Sequence, residues 1–195
     1  APLFWLPAPY PVTWEYALEY VAVLKEAYAR IKKADPTAIV VTPALWGIDC
    51  DPSNAQNYLR TLYLNGLKNN SDVISIHPYT GGYYPTHQWI WYSPFDFPHM
   101  TDLRALMTEF GDGAKDIWMS EFAVSVGDTY DTHLVDEPRQ AAVFRQVWDY
   151  SQWAAKGIGS ITKYFATALS IIVGKLAEQE FRNMCSVYNN APLVP

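Results

Sequence analysis

A carboxylate set into the end of an apolar run is the feature of this chain with the clearest chemical potential. Ile117-Trp118-Met119-Ser120-Glu121-Phe122-Ala123 is preceded by Lys115-Asp116 and followed by a polar, glycine-containing stretch from Ser125 to Asp131. Such a run reads as a buried strand. A glutamate at its end is costly to bury unless it is hydrogen-bonded or has chemistry to do. The plainer alternative is a glutamate that emerges into solvent where the strand stops. A second apolar run, Val73-Ile74-Ser75-Ile76, ends in His77-Pro78-Tyr79, so an imidazole and a phenol also stand at a strand end. A carboxylate at a strand end is a candidate for nucleophilic attack on an electrophilic carbon. Here too the alternatives are ordinary: a satisfied core histidine and a loop tyrosine.

Aromatic side chains are the outlying class, with 8 Trp, 14 Tyr and 8 Phe in 195 residues. Several fall in loop contexts, in Tyr83-Tyr84 and in Trp89-Ile90-Trp91-Tyr92, and Trp46 opens another loop. Flat apolar rings in loops suit ligands with flat apolar faces, sugars above all; packing beneath long loops is the competing explanation. Asp49, Asp51, Asp128, Asp131 and Glu137 lie in or near strand-end loops as acid/base candidates, although solvated loop charges are far commoner. His133 near Asp131 has no spacing that makes a metal site, and neither a metal nor an organic cofactor is expected.

The elements that must position these groups alternate. A helix with apolar positions Trp14, Ala17, Leu18, Val21, Leu24, Tyr28 and Ile31 ends at Asp35-Pro36. The β-branched stretch Ala38–Pro43 follows as a strand. A helix opens at Pro52-Ser53 and runs towards Leu64, before the strand ending at His77. A long aromatic loop extends to His99, then a helix from Thr101 to Phe110 leads back to the Glu121 strand. Asp136-Glu137-Pro138 starts a further helix, with proline in its first turn. Ile158–Phe165 is a short strand candidate, and Ala168–Val187 is helical in composition. Repeated strand–helix units imply a parallel sheet, in a barrel or open. No GxGxxG or GxxxxGK[ST] follows a strand, which leaves the (β/α) barrel, with its chemistry at the C-terminal strand ends.

In order, Lys32-Lys33-Ala34-Asp35-Pro36 before a strand, Ile76-His77-Pro78-Tyr79, Ile117-Trp118-Met119-Ser120-Glu121-Phe122 and Gln140-Ala141 resemble the C-terminal half of clan A retaining glycoside hydrolases. The similarity is greatest to cellulase-like and β-xylosidase-like barrels and covers Phe4 to about Trp153. It implies an α/β fold of the (β/α)8 TIM-barrel type with only about strands five to eight in this chain. Residues 1–195 would form a single domain, with 166–195 poorly matched. It also implies a retaining hydrolase of β-linked glycans, with Glu121 as nucleophile, Tyr79 donating to its carboxylate and His77 beside them in the substrate pocket; Trp46, Trp89 and Trp91, from their loop positions, are the further substrate-binding candidates. In that family the acid/base glutamate ends strand four in an Asn-Glu-Pro motif, just before a stretch like Ala1-Pro2-Leu3-Phe4-Trp5. Strands one to four and the acid/base are therefore expected outside this chain. Its partners would be a carbohydrate and either a second copy or a complementing N-terminal half-barrel, since four units leave open sheet edges. Lys163-Tyr164-Phe165 lacks the tryptophan that the family carries at strand eight, and no family tail follows Ala166.

A net charge of −6 argues against nucleic acid and against an anionic membrane surface. No apolar run reaches the roughly 18 residues of a transmembrane helix. Cys50 and Cys185 make neither a disulfide framework nor a metal pattern, and Asn69-Asn70-Ser71 is a formal glycosylation sequon. The resemblance favours an extracellular or periplasmic location. A non-catalytic carbohydrate-binding or structural half-barrel lacking the acid/base is the second reading. An aldolase-type or phosphate-binding barrel is disfavoured, because Lys163 lies inside its strand and no glycine-rich phosphate loop is present.

Overall fold

The computed structural model describes residues 14–44, 52–80, 82–85, 100–130, 133–154, 161–164, 176, 177, 179, 182 and 183. Helix α1 (Trp14–Ala34) places Ala17, Val21 and Leu24 inward, at three- and four-residue steps. Lys32 and Lys33 lie in its last turn, where cations complement the helix dipole. Helix α2 (Pro52–Leu64) buries Leu59 and Leu62, and a 3₁₀ turn over Leu67–Asn70 leads into strand β1 (Ile74–Ile76). Helix α3 (Met100–Glu109) precedes β2 (Ile117–Met119), and helix α4 (Glu137–Ala154) precedes β5 (Ile161–Tyr164). Between β2 and α4 lies a two-stranded antiparallel ladder of β3 (Thr129–Tyr130) and β4 (His133–Leu134).

Strand order is β1-β2-β5, every pair parallel, with Ile74 opposite Ile117 and Ile76 opposite Met119. A further parallel bridge joins Val41 to Val73 on the other side of β1. The three strands of this sheet thus lie side by side in chain order, with the β3–β4 ladder inserted between β2 and β5. The expected strand Ala38–Pro43 contracts to that single bridge. The reason lies in its hydrogen bonds: the Val40 N–H donates to the Asp72 carboxylate at 2.7 Å, and the Ser75 N–H donates to Thr42 Oγ1 at 2.9 Å instead of a carbonyl. The β3–β4 ladder occupies part of the stretch expected to be loop.

The core lies between the sheet and its helices. Ile74, Ile76, Ile117 and Met119 are fully buried with Leu59, Leu67, Met100, Leu103 and Met107. Ile74 lines a small cavity with Tyr20, Tyr58, Leu59 and Leu62, so its face of the sheet meets α1 and α2. Alternation along the strand then turns Ser75 to the opposite face. The turn that enters β2 is held by Arg104, whose guanidinium donates to the Gly113 and Lys115 carbonyls at 2.7 and 2.6 Å. Asp72 ties α1 to the start of β1. It accepts from Tyr28 Oη at 3.0 Å and from the Val40 N–H, and pairs with Lys32 Nζ at 2.8 Å. Within the C-terminal region, Leu176 and Ala177 are helical and Ala177 is buried.

Candidate active site

Parallel pairing brings the C-terminal ends of β1 and β2 to one edge, and the Ser120 N–H extends the ladder by donating to the Ile76 carbonyl at 3.2 Å. His77 is the first residue beyond β1 and Glu121 the second beyond β2, and their side chains meet at that edge. His77 Nδ1 lies 3.3 Å from Glu121 Oε2, with the two side chains 21% and 37% exposed. Glu121 is fixed from both directions, since Met119 before it and Phe122 and Val124 after it are buried. Phe122 packs edge-on against Phe144 of α4 at 5.3 Å between ring centroids, and burying a ring of that size contributes about 2–3 kcal/mol. The carboxylate is thus half-exposed at the end of a strand whose neighbours cannot move freely.

Tyr79 completes the group. Its phenol hydrogen-bonds to Glu121, and its ring stands edge-on to His77 at 6.1 Å. Burial, reinforced by that hydrogen bond and by the negative charge of Glu121, pushes the Tyr79 phenol well above the usual tyrosine range. It stays protonated and acts as a donor at any working pH. Burial also lowers the pKa of His77, and the Glu121 carboxylate draws it only part of the way back. At neutral pH the His77–Glu121 contact is therefore an uncharged imidazole beside a carboxylate, and not an ion pair in full. A half-exposed carboxylate flanked by a phenol and an imidazole has the groups that nucleophilic or acid/base chemistry uses.

Beneath this group the Ser75 and Ser120 hydroxyls hydrogen-bond to one another across the β1–β2 pair. Sequence gave no sign of that pair. Nor did it mark Arg139, whose Nε donates to the Gly82 carbonyl at 3.0 Å. Gln140, fully buried, donates to the Val124 carbonyl at 2.7 Å.

Of the residues singled out from sequence, Glu121, His77 and Tyr79 come together. Trp46, Trp89 and Trp91 lie outside the described residues, as do Asp49, Asp51 and Asp131. Asp128 is an unfavourable acid/base candidate, because its Oδ2 accepts the Ser125 N–H at 2.7 Å and closes the local turn. Glu137 is exposed in the first turn of α4, and His133 is exposed on β4. Among the described residues no cluster of three His, Cys, Asp or Glu could hold a metal ion, and no helix is long and apolar enough to cross a membrane.

No family model matches the sequence, and no curated protein matches it either. Among solved structures the chain is similar to a hyperthermostable endo-1,4-β-D-mannanase from Thermotoga petrophila RKU-1. The TM-score is 0.47 at 14% identity, over 88% of this chain and 52% of that one, so the chain spans about half the length of that structure.

Proposed function

We propose that Glu121 is the nucleophile of a retaining glycoside hydrolase acting on β-linked glycans, in a chain that forms strands five to eight of a (β/α)8 barrel. The observation that carries this reading is the contact set at Glu121. The carboxylate ends a parallel strand, accepts from the Tyr79 phenol and faces the His77 imidazole at 3.3 Å. In the first step a Glu121 oxygen bonds to the anomeric carbon as the bond to the leaving oxygen breaks, and that oxygen takes a proton from an acid/base carboxyl. In the second step water, deprotonated by the same group, attacks the anomeric carbon and releases Glu121 as carboxylate. Retaining geometry sets the two carboxyls about 5–5.5 Å apart. We assign the second one to residues other than those described, and Trp46, Trp89 and Trp91 to sugar binding.

Dinitrophenyl β-glycosides test the reading, because their leaving group departs without a proton and needs only the nucleophile. Glu121→Gln keeps the shape and removes the attacking charge, so dinitrophenolate release should fall by about a thousandfold or more while the thermal midpoint and sugar affinity hold. Near-normal release by the variant would place the nucleophile elsewhere.

A further inference from the structure

Two neighbouring residues on the first turn of α4 reach two different strand-end loops. Asp136 caps the helix by accepting the Arg139 N–H at 2.8 Å, which fixes the backbone of that turn. From there Arg139 donates to the Gly82 carbonyl at 3.0 Å and lays its guanidinium over the Tyr84 ring at 3.5 Å. Gly82 lies three residues beyond Tyr79, and its φ of 89° is a conformation that side-chain-bearing residues rarely adopt. On either side of that stretch the Tyr79 N–H donates to the His77 carbonyl and the Tyr83 N–H to the Thr80 carbonyl, both at 3.0 Å. Gln140 donates to the carbonyl of Val124, three residues beyond Glu121, across a segment anchored by buried Phe122 and Val124.

We propose that Arg139 and Gln140 are a positioning pair that sets Tyr79 against Glu121, by holding the loop after β1 and the loop after β2 to one turn of helix. The two loops carry the two members of a hydrogen bond, and each is fixed three residues downstream of its member. A shift of either carbonyl alone would change the phenol–carboxylate distance without disturbing the sheet. Arg139 suits its task through geometry as well as charge: its planar group serves a carbonyl and an aromatic face together, which a lysine ammonium cannot reproduce. The importance of this pair for turnover rests on the glycosidase reading, whereas its control of the Tyr79–Glu121 bond does not.

The test uses the full chain carrying 3-fluorotyrosine at position 79, whose fluorine lowers the phenol titration and reports it by NMR. Arg139→Lys and Gln140→Met are compared with the parent after circular dichroism confirms folding. Loosening the Tyr79–Glu121 bond should lower the phenol titration by about one pKa unit in each variant. Labelling by an activated 2-fluoroglycoside should slow by about tenfold, a loss that disappears when Tyr79 is already phenylalanine. If Gln140→Met does not fold, Arg139→Lys decides alone. An unchanged titration in folded Arg139→Lys overturns the proposal. Absence of any adduct on the parent chain would instead count against the glycosidase reading, and the titration would still decide the role of the pair.

Discussion

The imidazole Nδ1 of His77, one residue past the end of β1, stands 3.3 Å from Oε2 of Glu121, two residues past the end of the parallel-paired β2. Parallel pairing creates this relationship. Ile76 lies opposite Met119, and the ladder bond from Ser120 to Ile76 carries the pairing one residue further, so that His77 and Glu121 leave the sheet close together. Placing two polar side chains there costs less than burying them, and it leaves both open to a ligand.

Stability should depend on the protonation of His77. Burial lowers its pKa in the folded chain, while the unfolded chain titrates near the ordinary value of about 6.5. Above that value both states are neutral and the stability is fully present. As pH falls below it the unfolded chain binds the proton first, so stability declines until the folded pKa is passed. Urea midpoints of the parent and of His77→Gln, at about pH 7.5 and about pH 5, should show the parent losing more on acidification. Equal losses would mean that the imidazole is not kept neutral by the fold.

Asp72 should matter in the opposite compartment of the fold. Burial alone would raise its pKa, but the bonds from Lys32, the Val40 N–H and Tyr28 together outweigh it and hold the carboxyl below the usual range. Its contribution is therefore present above about pH 4 and lost as pH falls through the folded value. Asp72→Asn should cost about 2 kcal/mol at neutral pH, with the gap to the parent narrowing in acid. A gap independent of pH would assign the effect to packing and not to charge.

The Ser75–Ser120 hydroxyl pair should show coupling. Ser75→Ala leaves the Ser120 hydroxyl without that bond and should cost about 1–2 kcal/mol. Removing both hydroxyls should cost less than the sum of the two single changes, because neither is then left behind. Strict additivity in a chemical-denaturation cycle would mean the pair contributes nothing as a pair.

Much of this was legible in the chain itself, for physical reasons that differ by residue. The runs around Ile74 and Ile117 announce themselves because parallel strands buried on both faces need continuous apolar sequence. Helix α1 is legible because its apolar residues recur at helical spacing. Glu121, His77 and Tyr79 stood out as polar groups at the ends of such runs. The β3–β4 ladder did not, since two residues per strand carry no periodicity. Ala38–Pro43 reads as a strand from its β-branched residues, yet the Asp72 carboxylate and the Thr42 hydroxyl take hydrogen bonds that a ladder would have used. Arg139 was hidden because a cation in the first turn of a helix runs against the helix dipole, and its partners Gly82 and Tyr84 lie far away in sequence. Serines carry no signal of pairing across 45 residues.

Covalent trapping tests the role of Glu121 most directly. The full chain is incubated with dinitrophenyl 2-fluoro-β-glycosides of several sugars, digested, and read by mass spectrometry, alongside Glu121→Gln. Departure of dinitrophenolate needs no acid, and the fluorine slows hydrolysis of the glycosyl-enzyme so that it accumulates. The account predicts a slowly formed adduct, one sugar per chain, on the peptide containing Glu121, and none on the variant. An adduct on a different residue, or no adduct after prolonged incubation, would contradict it.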